Sequence, residues 1–339
     1  MPFPLLSLPI DLQILVLQTV DKTIDLISLS LCSKRAKTIV KSLRHLKLDL
    51  CEIWIKDGFH IHLHTGLCGL RFELTEVFTT GALVRVNETL GGLDVWDEFP
   101  KSWRVPDMTT RDWIDHLREV FLVSENSYID FGGPFERDTL RMVLRGLDMK
   151  LNHIRNPLSD DHLKSALAVL PNAEELDLVQ YQENIQFHDK KFIKKVSMQN
   201  YRRLDLIDFC PEHFGSLDNF LLINAKTVAH SESKFRKTDI DRFLKLWTRG
   251  AMRRLEYLFL DFSELIPDWD GFLEGMECVK IAEKEERTKT FQHSLTYRHS
   301  IVRNTEGIAI RRRTDGVIAT FNYENGRFDF LFGINLFVV

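Results

Sequence analysis

Along the first fifty residues apolar positions recur at helical spacing, and that spacing predicts three short helices between Leu5 and Leu43. Pro9 sits where the first begins, a place where its missing N–H does no harm. Leu12, Ile14, Leu15, Val16, Leu17 and Val20 wrap most of the way round that helix. A helix apolar on nearly all sides must be covered on nearly all sides. Asp21 and Thr23 offer turn and capping groups ahead of a second helix with Ile24, Leu26, Ile27 and Leu29. Cys32 to Lys37 opens a third, whose apolar positions Ala36, Ile39, Val40 and Leu43 follow a three-four spacing. Three helices in about 40 residues cannot usually hold a core unaided. Either the rest of the chain covers them, or a partner protein does.

From Leu46 the period changes to two. Leu46–Leu50, Glu52–Lys56, Phe59–His64, Arg71–Glu76 and Ala82–Val86 read as short strands separated by glycines, an antiparallel meander. The stretch from Gly91 to Pro106 reads as a loop pinned by Trp96, Phe99 and Trp103, and Thr110–Leu122 as a helix with Asp112 near its start. Farther on, Leu147–Leu151, Glu175–Val179, Arg203–Ile207 and Leu255–Leu260 read as strands, with helical patterns at Ser159–Leu170 and Thr238–Trp247. Thr238 is placed to cap the latter and Gly250 to stop it, with Phe243, Leu244 and Trp247 on its inner face. The Leu176-to-Leu204 interval is close to a leucine-rich-repeat period of roughly 20–29 residues, and Leu204-to-Leu255 to twice that. The Asn or Cys ladder of regular repeats is missing. Gly307–Arg312, Val317–Phe321 and Phe328–Phe332 form a terminal meander with turns at Asp315-Gly316 and Asn325-Gly326, suited to close onto the early β-rich stretch. The expected fold class is α+β or α/β: a three-helix N-terminal module, then a mixed α/β, irregular leucine-rich-repeat-like domain with antiparallel β segments.

Composition narrows the function. Of 339 residues 44% are hydrophobic, and 24 Phe with 6 Trp exclude a disordered polymer. The formal net charge of −4 gives no basic excess for nucleic acid. Five cysteines without regular spacing read as reduced thiols, pointing to cytoplasm and/or nucleus. The apolar N-terminus lacks a basic flank and carries Asp11, so it does not read as a signal peptide, and no stretch has the length of a membrane span.

Candidate chemistry is sparse. His60, His62 and His64 alternate, so one strand face would carry all three, with Cys51 and Cys68 near. Without a paired ligand spacing they read as a solvated face, and neither metal nor cofactor is expected. Arg311-Arg312-Arg313 reads as a solvated hairpin, and Asp160-Asp161-His162 with Glu174-Glu175 as surface helix starts. Cys32 precedes basic residues but reads as a packing residue rather than a nucleophile. No phosphate-binding glycine loop and no nucleophile elbow occurs, so catalysis is not expected.

Two stretches carry a family resemblance. Leu8-Pro9-Ile10-Asp11-Leu12, Val16-Leu17, Asp25-Leu26, Leu29 and Leu31-Cys32-Ser33-Lys34-Arg35 resemble an F-box, with Arg35 where the family commonly has an aromatic residue. Asp205 to Asp261, with the Thr238–Trp247 helix, Gly250 and the Leu255–Leu258 strand, resembles the F-box-associated domain of type 2 of nematode-type F-box proteins. The implied layout is an F-box at 4–46, a β-rich region at 47–130 and an F-box-associated α/β domain at 131–339, matching best over 205–261. The resemblance implies a non-catalytic substrate adaptor of a Skp/cullin/F-box-type ubiquitin ligase. Leu8, Pro9, Leu12, Val16, Leu17, Leu26, Leu29 and Leu31 would meet the Skp-family adaptor of the cullin-RING ligase, and the C-terminal domain would hold an unknown protein substrate. Strand-end positions Asp177, Gln180, Asp208, Glu212 and Asp261 are the candidate target surface, because helix-facing residues are committed to packing; the other reading is that they are simply solvated strand ends. The alternative is an intracellular α/β interaction module without a ligase role, its N-terminal helices docked on its own core.

Overall fold

The computed structural model describes residues 5–20, 22–43, 50–56, 58–65, 68–74, 83–90, 101–121, 127–133, 135–147, 149–155, 157, 159–169, 171–180, 189–207, 209, 214, 216–233, 235–262, 278–281, 287–292, 299–304, 307–325 and 332–338. The chain divides into two compact units, Met1–Asn152 with Lys164–Asn172, and His153–Leu163 with Ala173–Val339.

In the first unit a 3-10 turn at Leu5–Ser7 leads into α1 (Ile10–Gln18), α2 (Thr23–Cys32) and α3 (Lys34–Ser42). All three expected helices are present, and α1 and α2 both pack on α3. No side chain caps α1 or α2, whereas the Ser33 hydroxyl accepts the Ala36 N–H at 3.1 Å and starts α3. Ala36, Ile39, Val40 and Leu43 are buried, as the three-four spacing requires.

An antiparallel ladder follows: β1 (Leu50–Ile55), β2 (Phe59–Thr65), β3 (Cys68–Leu74), β4 (Leu83–Leu90) and β5 (Lys101–Arg104). This is the expected meander, extended by a strand taken from the end of the segment that reads as loop. Trp103 of β5 stacks on Trp113 with ring centroids 6.1 Å apart; Trp96 and Phe99 lie outside the described residues. Helix α4 (Thr110–Val120) begins with a reciprocal cap: the Thr109 hydroxyl accepts the Asp112 N–H and the Asp112 carboxylate accepts the Thr109 N–H at 2.8 Å. β6 (Ser127–Phe131) then runs parallel to β1 on its free side, and α5 (Arg137–Leu144) packs on α4. Side chains alternate across these strands. Ile53, Ile61, Phe72, Val86 and Ile129 are buried on one face, while Glu52, Trp54, His62, Arg71 and Tyr128 share the other.

β7 (Leu151–Arg155) and α6 (Asp160–Val169) fall where the units divide. The sequence places that strand earlier, at Leu147–Leu151. Leu147 instead finishes the turn after α5, its N–H donating to Leu144 O at 3.1 Å beside Gly146 at φ 71°.

The second unit holds β8 (Glu175–Val179), α7 (Lys190–Ser197), β9 (Arg203–Ile207), α8 (Leu217–Phe220), β10 (Thr227–Ser233), α9 (Lys237–Thr248) and β11 (Tyr257–Phe262). β8, β9, β10 and β11 are neighbours in sequence order and all parallel, so each connection must cross over, and each carries a helix. β10 stands between Leu204 and Leu255, which is why that interval is double. Thr-Val-Ala-His-Ser has too little apolar alternation to announce the strand. β12 (Cys278–Ile281) through β17 (Phe332–Val338) complete the unit, with β13 (Arg287–Gln292) and β14 (His299–Asn304) as a separate antiparallel pair. β15 (Gly307–Arg311), β16 (Ile318–Asn325) and β17 form a terminal meander. The sequence places its third strand at Phe328–Phe332, of which residues 328–331 lie outside the described residues, and β17 begins at Phe332. The meander adds to β11 through β17, antiparallel, rather than to the early strands. The fold is mixed α/β, with parallel and antiparallel strands in each unit.

The α9 boundaries show how local chemistry fixes this part. Arg236 precedes the helix, and the Asp239 carboxylate accepts its N–H at 3.0 Å. Thr238 is the second helical residue, so the cap is acidic rather than hydroxylic. At the far end the Gly250 N–H donates to Trp247 O at 2.9 Å and the Ala251 N–H to Leu246 O at 3.0 Å. That paired closure needs a left-handed residue, and Gly250 supplies it at φ 103°.

Candidate functional site

Helix α1 is the anomaly among the described residues. Ile10, Leu12, Leu15 and Val16 are 52%, 47%, 58% and 38% exposed, and the remaining large exposed apolar side chains are Met142 and Met198. Leu12, Leu15 and Val16 are related by three- and four-residue steps, so they share one side of the helix. Gln13 and Leu17 are buried on the opposite side. The Gln13 amide donates to the carbonyls of Leu6 and Leu8, tying the entering turn to α1. The sequence asks for cover all round; among the described residues it is supplied on one side. A contiguous exposed apolar face of this kind is a candidate interaction surface.

Helices α2 and α3 do not share this exposure, because the domain holds them. α3 packs on α4. Ser30 Oγ and His116 Nε2 hydrogen-bond at 2.8 Å in a buried setting, and Lys37 forms an ion pair with Glu119. Lys101 reaches Asp25 at 2.5 Å on the surface. Burial is the main reason the His116 pKa falls to about 4; Lys37 lowers it further and Glu119 opposes. A histidine kept neutral in the folded chain contributes fully above its ordinary value of 6.5, and that contribution is lost as pH falls from there toward about 4. Thermal melts should therefore show the first unit weakening across that window. His116→Gln, which can still bond Ser30 but does not titrate, should flatten the profile; an equally steep fall in the variant would contradict this role.

The expected adaptor-facing residues separate into two sets. Pro9, Leu12 and Val16 are exposed, and Leu8, Leu29 and Leu31 are half-buried. Leu17 and Leu26 require correction: at 3% and 2% exposed they belong to the interior of the chain, on the packed sides of α1 and α2. Sequence reasoning passed over Ile10 and Leu15, although the step from Leu12 to Leu15 would have found the latter.

The expected target surface also changes. Asp177 and Gln180 are buried, so they are not exposed strand-end groups. Asp208 and Glu212 lie outside the described residues, as does the side chain of Asp261, whose backbone pairs with Gly333. Asp177 is inward because it faces Arg203 on the next parallel strand, at 3.1 Å. Arg203 also meets Glu175 at 3.3 Å and Asp205 at 3.4 Å, one guanidinium serving three carboxylates. Burial, then the charge of Asp177, raises the Asp205 pKa, while Arg203 acts in the opposite direction. A carboxyl whose folded pKa is raised holds its proton better folded than unfolded, so its contribution is greatest at acid pH and is lost as pH rises above 3.8. Arg203→Met should cost about 3–5 kcal/mol near neutrality, because it leaves the buried acids without their counter-charge. Melts at lower pH should show a smaller deficit; a deficit that stays constant or grows on acidification would rule out charge as its cause.

The remaining candidates fall into place. The Arg311–Arg313 run is not wholly solvated: Arg312 is buried over the Trp247 ring, 5.0 Å from its centroid, and paired with Asp315 at 2.9 Å. Cys32 is exposed, its thiol donating to Ser28 O. Asp160 sits at the start of α6 and its carboxylate accepts the Asp189 N–H. The face with His62 and His64 is not a solvated one, since His62 is buried against Trp54 with ring centroids 4.2 Å apart. Among the described residues no helix is long and apolar enough to cross a membrane.

Comparison with known families accords with this division. Residues 5–48 match the F-box domain, and residues 192–260 match an F-box-associated domain. No curated protein and no solved structure matches the chain. The first match spans the helices that include the exposed face of α1, and the second runs from α7 into β11. The chain carries an F-box match ahead of an F-box-associated domain match.

Proposed function

We propose that the chain is a substrate adaptor of a Skp/cullin/F-box-type ubiquitin ligase, with α1 docking a Skp-family adaptor and the C-terminal domain holding a target protein. The observation that carries the reading is the exposed apolar side of α1 within the F-box. Burying one leucine is worth about 1.5–3 kcal/mol, so Leu12, Leu15 and Val16 together provide a substantial apolar anchor. The alternative, in which the N-terminal helices only cover their own core, fits α2 and α3 but leaves α1 unexplained. F-box and F-box-associated domains are typical of non-enzymatic adaptors, and the chain would act by holding its target near the charged enzyme.

The test is affinity capture from cells with the full chain. The wild type should recover the Skp-family adaptor with cullin-RING subunits. Leu12→Asp with Leu15→Asp should lose those subunits and retain other captured proteins. This pair is preferable to deleting the F-box, which would uncover α4. A wild-type chain that recovers no adaptor would contradict the ligase role.

A further inference from the structure

The face of the first unit's sheet opposite its apolar core brings together chemistry that the sequence alone leaves scattered. Glu52 stands opposite His62 across the β1–β2 ladder, and His64 follows two residues on, so the antiparallel register places all three on one face. One ligand-capable atom from each lies within 4.8 Å of the other two, and Glu52 Oε1 is 3.7 Å from His64 Nε2. Zinc holds imidazole nitrogen and carboxylate oxygen at about 2.0–2.2 Å, so donors on one tetrahedral ion stand roughly 3–4 Å apart. Small side-chain rotations close the difference.

We propose that Glu52, His62 and His64 form a zinc-binding site on the β1–β2 seam, with a fourth position facing solvent. The groups around them are placed as such a site requires. Trp54 Nε1–H donates to Glu52 Oε2 at 2.8 Å, which fixes the carboxylate with Oε1 toward His64. The Trp54 ring lies against His62 at an interplanar angle of 21° and holds the imidazole plane. β1 is paired on both edges, by β2 and β6, so its side chains project from a rigid strand. Asp130 is buried on the same face, in register with Trp54, and a divalent cation would offset its charge and that of Glu52. Arg71, opposite His62 on β3, directs its positive charge to Glu73 at 3.0 Å. His60 meets Arg71 instead of the carboxylate, and Cys51 faces the apolar side, so neither belongs to the set. Two imidazoles and one carboxylate suit zinc better than the hard cations, which prefer oxygen.

The experiment uses the full chain, stripped with a chelator and titrated with Zn2+ alone against a chromophoric competitor. One equivalent should bind, and the melting temperature should rise with it. His64→Gln, at a half-exposed position where the strand tolerates change, should weaken binding at least 10–100-fold, as should Trp54→Phe, which keeps the ring and removes the N–H. His60→Gln should bind like the wild type. Circular dichroism of the apo proteins separates lost ligation from lost folding. Zinc affinity in the folded His64→Gln chain equal to that of the wild type would overturn the site, as would a wild-type chain that takes up no zinc.

Discussion

A chain carrying Leu12→Asp and Leu15→Asp is expected to lose the Skp-family adaptor while keeping its own fold. Both side chains are about half exposed, so replacing them disturbs little packing and should leave stability within about 1 kcal/mol. Docked against an apolar partner, the two carboxylates would lose water without gaining counter-charges, a cost of several kcal/mol. A loss of about 4 kcal/mol is roughly a thousandfold in affinity. Leu17 is a poor substitute for either position, because a charge there would sit inside the module and unfold it. Calorimetric titration of the purified adaptor into both chains, with a melt of each, separates the two effects. Wild-type affinity in the folded double variant would remove α1 as the docking face.

The second large effect falls in the F-box-associated domain. Trp247 is fully buried on α9, alongside Phe243 and Leu244. Its ring also carries the Arg312 guanidinium, so one side chain joins α9 to the turn between β15 and β16. Trp247→Ala should cost about 3–5 kcal/mol from lost burial and the cavity left behind. Arg312 would lose its aromatic partner and keep Asp315. Denaturant unfolding should show the second unit giving way early. An unchanged unfolding midpoint would take Trp247 out of the core and leave the helix without its anchor.

What could be read from the sequence follows the strength of its local signals. The three N-terminal helices, α4 and the early meander were legible because period and punctuation agree: Ala36, Ile39 and Val40 at three-four spacing, Ile53 and Ile61 at alternate positions. Asp315-Gly316 announced its turn, and Gly316 takes φ 74°. β10 was hidden because its residues lack alternation, and its place is set by pairing with β9 and β11. Function was harder for a related reason. Asp177 reads as a strand-end acid until Arg203 on the neighbouring strand draws it inward. His62 and His64 read as a wet face until the β1 register brings Glu52 across from them. Exposure and cross-strand company are tertiary facts, and a linear pattern does not contain them. The α1 surface is the reverse case: its excess of apolar residues is visible in the sequence, and the fold then shows which of them remain uncovered.

Hydrogen exchange along α1, with and without the purified Skp-family adaptor, tests the central proposition most directly. The helix is short, with one side open to water, so its amides should open readily in the free chain. With adaptor present, residues 10–18 should exchange much more slowly, while β8 and β9 in the second unit keep their rates. Unchanged exchange in α1 at saturating adaptor would contradict the docking of the ligase on this face.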